Sequence, residues 1–395
     1  MVIRVFGDLV INNPETIELE LKLKRILEES DFNIVNFEAP VYCHKANKMQ
    51  KSGPSLYQSN KTLAWLKDNS FNIVSLANNH IMDYGEEAFE ETINRLGGIH
   101  HVGAGDWENA YSPLILEQDD VTVAIFSMAE LQFGILYEQH DKYMKGGAWI
   151  NHPSVNNIIK RTKKVVDYVI MIAHAGLEDE DIPLPEWRER YRELIDVGCD
   201  VIIGGHTHMV QGCEIFKEKL ICYSLGNFVF ERNLAKKDSW CIGEFVSLSL
   251  SRKGIEYNIF GTRFFNNRVE LISDEYWKEK LDLLNKKLGE GYENEINRIC
   301  IKKMDAYNML FSMGGYIYPN RYLWKSIIRY FLRRCDNIHV LNNLQCESHR
   351  WTIMRALRKK NGLYEMDLVL RNNRIVKIYL CCILELNKVT WDKLC

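Results

Sequence analysis

No run of apolar residues in this 395-residue chain approaches the roughly 20 needed to span a bilayer. The amino terminus has no basic segment leading into an apolar one, so neither a membrane span nor a secretory leader is expected. None of the eleven cysteines form a Cys-x-x-Cys pair, and their odd number argues against the paired cysteines of a secreted protein. Cys199, Cys222, Cys381 and Cys382 lie in apolar, strand-like runs, where free cysteine acts as a small buried hydrophobe. No internal repeat or low-complexity linker stands out. The serine in Ser224-Leu225-Gly226-Asn227-Phe228 has no neighbouring base and lacks the Gly-x-Ser-x-Gly elbow, so a serine nucleophile is not expected. These absences predict a chain that is soluble in a reducing cytoplasm.

What is present is uneven in charge. The net charge is only −3, yet residues 301–395 carry 17 Lys/Arg against 7 Asp/Glu, leaving 33 against 46 in the first 300 residues. A basic tail of this kind binds anionic lipid or polymer, or is simply a helical appendage with a solvated basic face. Nucleic acid is not expected as a partner. The expected organisation is a catalytic or binding body over residues 1–270 and a mainly helical basic region over 271–395.

The body alternates strand-like and helical patterns, which predicts an α/β fold. Residues 18–29, 86–96 and 187–197 are amphipathic at helical spacing, and Gly97-Gly98 and Gly198 stop the last two. After His208, residues 219–230 and 243–265 read as strands of a second, antiparallel sheet. Further helices are expected over 276–288, 294–311 and 321–334, while 368–380 reads as either a hairpin or an interrupted helix.

Five apolar runs end in residues that ligate metals. Val2-Ile3-Arg4-Val5-Phe6 runs into Gly7-Asp8, and Asn33-Ile34-Val35-Asn36-Phe37 into Glu38-Ala39-Pro40. Asn72-Ile73-Val74-Ser75-Leu76 precedes Ala77-Asn78-Asn79-His80. Tyr168-Val169-Ile170-Met171-Ile172-Ala173 runs into His174, and Asp200-Val201-Ile202-Ile203 into Gly204-Gly205-His206-Thr207-His208. Loops leaving the carboxyl ends of strands in an open α/β sheet converge on one crevice. Asp8 could instead cap a following helix. Nitrogen and oxygen donors without thiolate suit Mn, Fe, Zn or Mg. Two such ions about 4 Å apart can grip both sides of an in-line displacement on an anionic substrate. His100 and His101, and His44, His140, His152, His339 and His349, lack such a setting and are assigned to packing or surface roles.

These stations resemble the CapA family of capsule and poly-γ-glutamate biosynthesis proteins, placed in the calcineurin-like metallophosphoesterase superfamily. They are Gly7-Asp8, Asn36-Phe37-Glu38, Ser75-Leu76-Ala77-Asn78-Asn79-His80 with Asp83-Tyr84-Gly85, Gly103-Ala104-Gly105, His174-x-Gly176-x-Glu178, Gly205-His206-Thr207-His208 and Tyr223-Ser224-Leu225-Gly226-Asn227-Phe228. The resemblance covers residues 1 to about 265 and implies a four-layer α-β-β-α sandwich. It also implies that Glu38 bridges one or two divalent metals, with Asp8 and His208 on one and Asn79, His174 and His206 on the other. His80 would be the non-ligand histidine facing the substrate, oriented by Asp83. There are departures. Val10 stands where the superfamily's Asp-x-His motif has its histidine, Ala175 replaces a tryptophan, and Gly-Gly-His-Thr-His replaces the commoner Gly-His-His-Pro-His. The implied function is a metal-dependent phosphoesterase-type hydrolase in capsule, poly-γ-glutamate or other anionic-polymer biosynthesis. Its substrate would be an anionic phosphoester or polymer, and its partners a polymer synthase or an anionic membrane surface reached by the basic tail, at the inner face of the membrane. A non-catalytic metal-binding accessory protein of the synthase is the alternative, as is amide-bond or transfer activity on a poly-γ-glutamyl substrate.

Overall fold

Strands Val2–Val10 and Tyr168–His174 are buried along nearly their whole length, the pattern of strands covered on both faces. The computed structural model describes residues 1–138, 145–231, 238–312 and 337–361. The expected helix over 321–334 and the ambiguous segment 368–380 lie outside the described residues, as do Cys381, Cys382 and the side chains of His140 and His339.

Two large sheets stack face to face. The nine-stranded sheet runs in the order Glu18–Leu19, Arg268–Leu271, Gly254–Phe265, Ile242–Ser251, Val2–Val10, Phe32–Phe37, Ile73–Ser75, His100–Val102, with Asn227–Phe230 paired to Val2–Val10 off that path. The six-stranded sheet runs Cys213–Phe216, Lys219–Cys222, Val201–Gly205, Tyr168–His174, Val121–Ala129, Leu114–Gln118. Side chains alternate between the faces with a period of two. Ile3, Val5, Ile34 and Ile73 of the first sheet meet Ile125, Ile170, Ile172 and Ile203 of the second in a shared inner layer. On the outer face of the first sheet, Phe6, Val35 and Val74 pack with Leu23, Leu66 and Phe89 from helices Leu21–Glu28, Thr62–Asp68 and Gly85–Arg95. On the outer face of the second, Val169 and Met171 pack with Ile159, Trp187, Tyr191 and Leu194 from helices Val155–Thr162 and Pro185–Val197. The order of layers is therefore α-β-β-α. Each of these large side chains contributes roughly 1.5–3 kcal/mol by leaving water.

The strands after His208 differ from the expected separate sheet. Cys213–Phe216 and Lys219–Cys222 extend the six-stranded sheet, whereas Ile242–Ser251, Gly254–Phe265 and Arg268–Leu271 belong to the nine-stranded one. The reason is burial on two faces. Phe245 packs on the outer core while Val246, Leu248 and Leu250 fill the inner layer, so Ile242–Ser251 pairs directly with Val2–Val10 near the sheet centre. The first helix also starts later than expected, at Leu21, because Glu18–Leu19 pair with Arg268–Leu271.

Helices Asp274–Lys286, Tyr292–Ser312, Asn337–Gln345 and Glu347–Lys360 follow. They do not stand apart from the body. Tyr292, Ile296, Ile299, Cys300 and Ala356 share the core behind the six-stranded sheet, and the Trp351 ring meets Trp187 edge-on at 4.9 Å. Among the described residues no helix is long and apolar enough to cross a membrane.

Candidate metal centre

Strands Val2–Val10, Phe32–Phe37 and Ile73–Ser75 run parallel, as do Val121–Ala129, Tyr168–His174 and Val201–Gly205 in the facing sheet. Their carboxyl ends meet at one crevice, and all six expected ligands reach it. Asp8 sits where the pairing of its strand slips on both sides, toward Phe32–Phe37 and toward Asn227–Phe230. Such an irregularity re-aims a side chain. The close approach behind it needs glycine, since a Cβ on Gly7 would lie 2.0 Å from the Gly226 carbonyl oxygen. His206 and His208 adopt left-handed backbone conformations, φ 82° and 59°, which bulky residues rarely accept. Strain of this kind is stored where a side chain must be aimed.

The ligand atoms converge. One group joins Glu38, His174 and His206 and another joins Asp8, Glu38 and His208, each with its atoms within 4.8 Å of one another. Glu38 is common to both. His174 Nε2 and His208 Nε2 lie 3.6 and 3.9 Å from Glu38 Oε1. The Asn79 Oδ1 atom is 3.0 Å from His174 Nε2, and so is His206 Nδ1. Asp8 accepts hydrogen bonds from Asn36 Nδ2 at 2.7 Å and the His206 backbone N–H at 3.2 Å. His208 Nδ1 is 2.9 Å from Asn227 Oδ1, and its ring lies 4.3 Å from that of Trp240.

The test of fit is Glu38. Its side chain is fully buried, and neither carboxylate oxygen has a hydrogen-bond partner. A buried, unpartnered carboxylate is unstable as an anion unless a cation sits beside it. Burial first, and the Asp8 charge second, push its carboxyl well above the usual range. Burial, then the neighbouring imidazoles, hold His174 well below its usual range and hence neutral, the form that ligates. Two carboxylates, three imidazoles and one amide oxygen with an orphaned carboxylate at their centre fit one or two divalent ions.

His80 and Asp83 lie beside this group. His80 Nδ1 is 2.6 Å from Asp83 Oδ2, which also accepts the Leu56 N–H at 2.7 Å. Asp83 Oδ1 is paired to Lys51, whose Nζ is 3.1 Å from His80 Nδ1 and 3.4 Å from the Asn79 carbonyl oxygen. Burial, then the Lys51 charge, lowers the His80 imidazole against the pull of Asp83.

Two participants escaped the sequence reading. Lys51 comes from an irregular loop with no periodicity to mark it. Glu130 had a signal: Val121–Ala129 is a sixth apolar run, and Glu130 follows it directly. Its carboxylate is buried, with Oε1 3.1 Å from His206 Nε2. Burial alone would raise it, but the hydrogen bond and charge of His206 and the Ser348 N–H hold it below the ordinary value. Of the remaining histidines, His100 and His101 lie on the edge strand His100–Val102, and His152 bonds Ser154 Oγ at 2.7 Å. His349 lies on the same helix as Ser348, with Nδ1 3.0 Å from Asn343 Oδ1.

Residues 14–232, more than half of the chain, match the family described as bacterial capsule synthesis protein PGA_cap. A capsule biosynthesis protein CapA from Bacillus anthracis is 29% identical over 229 residues, covering 54% of this chain and 54% of that protein. A PGA biosynthesis protein CapA from Bacillus subtilis is 30% identical over 213 residues, covering 52% of this chain and 55% of that protein. The chain thus spans about half the length of these curated relatives. A calcineurin-like phosphoesterase structure from Bacillus subtilis aligns with 72% of this chain and 99% of its own, at 12% identity and a TM-score of 0.38.

Proposed function

Because the chain belongs to the bacterial capsule synthesis protein family PGA_cap, we propose that it is a metal-dependent hydrolase of the phosphoester type, serving the synthesis of a capsule, poly-γ-glutamate or another anionic surface polymer. The observation that carries this reading is Glu38, a fully buried carboxylate without a hydrogen-bond partner, ringed by Asp8, His174, His206 and His208. One or two divalent ions of Mn, Fe, Zn or Mg, when bound, supply Lewis acidity toward an anionic ester and a more acidic water. Glu38 is positioned to be shared, with Asp8 and His208 on one side and Asn79, His174 and His206 on the other. Two carboxylates leave two dications with a net positive charge, which favours an anionic substrate.

His80 is the group for proton traffic. Its Nδ1–H is donated to Asp83, which fixes the tautomer and leaves Nε2 for the substrate. Held neutral by burial and by Lys51, the imidazole begins turnover as a hydrogen-bonding or proton-accepting group. It can give a proton to a departing oxygen only after taking one. The work takes place in the cytoplasm, with the basic C-terminal region meeting an anionic membrane surface or the polymer synthase.

The test is hydrolysis of a generic phosphodiester and a generic phosphomonoester with Mn²⁺. Turnover that a chelator removes and Mn²⁺ restores is expected, and Glu38→Ala should lack it. A second reading, a non-hydrolytic accessory protein that binds anionic polymer through the same ions, is favoured by Val10. This residue is buried and apolar in the strand that carries Asp8, so it adds no ligand to Asp8, His208 and the shared Glu38. Bound metal without turnover on either ester, together with metal-dependent binding of polyglutamate, would favour that second reading.

A further inference from the structure

The buried side of the metal centre includes Glu130, within the family match, and residues Cys346 to Ser348, well outside it. Glu130 Oε1 lies 3.1 Å from His206 Nε2 and also receives Gln132 Nε2 at 3.2 Å and the Gly176 N–H at 3.4 Å. Its other oxygen, Oε2, accepts the Ser348 backbone N–H at 3.0 Å and faces Cys346 Sγ at 3.6 Å. Ser348 lies in the first turn of helix Glu347–Lys360, where N–H groups have no partner within the helix. The neighbouring Glu347 is locked in place as well. Its buried carboxylate accepts the Leu131 N–H at 3.1 Å, Trp149 Nε1 at 3.0 Å and Asn151 Nδ2 at 2.9 Å. The Ser348 hydroxyl in turn accepts Trp187 Nε1 at 2.8 Å.

We infer that Glu130 is a positioning residue for His206, and that the start of helix Glu347–Lys360 holds Glu130 in that role. The inference rests on the reading that His206 is a metal ligand. The Gln132 amide nitrogen also lies 3.1 Å from His206 Nε2 but donates to the same Glu130 oxygen, so the carboxylate fixes Nε2 as the N–H donor and leaves Nδ1 to ligate. Nδ1 is the atom that faces His174, 3.0 Å from its Nε2. The arrangement gives the basic C-terminal region a task that composition alone does not suggest: completing the support of an ion site more than 200 residues upstream, with 218 residues separating Ser348 from Glu130.

The experiment compares full-length wild type with Glu130→Ala, Glu130→Gln, Glu347→Gln and His206→Ala, using Mn²⁺ alone as the probe. Isothermal titration gives affinity and stoichiometry, and ¹⁵N NMR of the metal-free protein gives the His206 tautomer. Glu130→Ala should weaken the ion held by His206 by roughly 10–100-fold, the usual effect of losing a partner behind a ligating histidine. The ion held with Asp8 and His208 should keep its affinity within about 3-fold. Glu130→Gln has the same shape but cannot accept from both His206 and Ser348. It should therefore weaken the same ion and shift the His206 tautomer mixture, and it carries the test if Glu130→Ala does not fold. Glu347→Gln should give a smaller loss in the same direction. Wild-type affinity and tautomer in a folded Glu130→Gln would overturn the inference. Unchanged Mn²⁺ binding by His206→Ala would instead overturn the underlying metal assignment, so the two failures are distinguishable.

Discussion

Replacing Glu38 with glutamine should reverse the sign of its effect on stability when metal is added. In the wild type without metal, the carboxylate is fully buried, has no hydrogen-bond partner and has Asp8 as a neighbour. An unsatisfied buried polar group costs about 1–3 kcal/mol, and more if charged. A carboxyl raised in the folded state loses stabilising effect as pH climbs from its unfolded value toward its folded one, because the unfolded chain ionises first. Glu38→Gln has the same shape and no charge. With a chelator at pH 8 it should therefore be more stable than wild type, because an unpartnered amide costs less to bury than an unpartnered charge, and the advantage should shrink as pH falls toward 5. With Mn²⁺ the order inverts. Binding at 100 times the dissociation constant stabilises by about 2.7 kcal/mol, and a 100-fold weaker site loses nearly all of that. Urea unfolding of both proteins, with chelator and with Mn²⁺, reads both signs. A variant that is less stable than wild type in chelator, or that gains as much from Mn²⁺, would refute the argument that Glu38 needs a bound cation to carry its charge.

Two further outcomes follow from the same geometry, and a third from an ion-pair cluster away from it. His80→Ala should retain bound metal and lose on the order of 10²–10⁴-fold in turnover; loss of metal in that variant would make His80 a ligand. His206→Ala and His208→Ala should each remove about one different ion, because the two side chains fall in different ligand groups around Glu38, and titration with Mn²⁺ distinguishes them. Away from the centre, Glu214 accepts from Arg188, Arg192 and Tyr223 at 2.7, 2.7 and 2.6 Å. Burial opposes its charge, but these partners bring its carboxyl from 4.5 to about 2. Its stabilisation is full above pH 4.5 and is lost as pH falls toward 2, amounting to about 1–2 kcal/mol after solvent screening. Glu214→Gln should flatten the acid limb of the stability curve by that amount.

The layers and the crevice were legible in the sequence because parallel strands buried on both faces read as apolar runs, and their ends are where ligands gather. Asp8, Glu38, Asn79, His174 and His206 each stand at or just beyond such a run, and the structure brings them to one crevice. Glu130 obeys the same rule after Val121–Ala129 and could have been found by it. Lys51 could not, since its place beside Asp83 is set by an irregular loop rather than by any periodicity. Nor could the sheet that receives Ile242–Ser251 be read locally: its alternation is satisfied by any partner, and only the pairing of Val5 with Val246 places it beside the first strand. The contact of Ser348 with Glu130 is hidden for a simpler reason, as charge counting along a basic helical region says nothing of which backbone N–H it buries.

The central claim is that these six residues hold divalent metal, and elemental analysis tests it most directly. Full-length protein would be loaded with Mn²⁺, freed of excess ion, and compared with the double variant His206→Ala/His208→Ala prepared in parallel. The wild type should retain about one to two equivalents of metal, and the double variant far less. No retained metal in the wild type, or wild-type content in the double variant, would contradict the account.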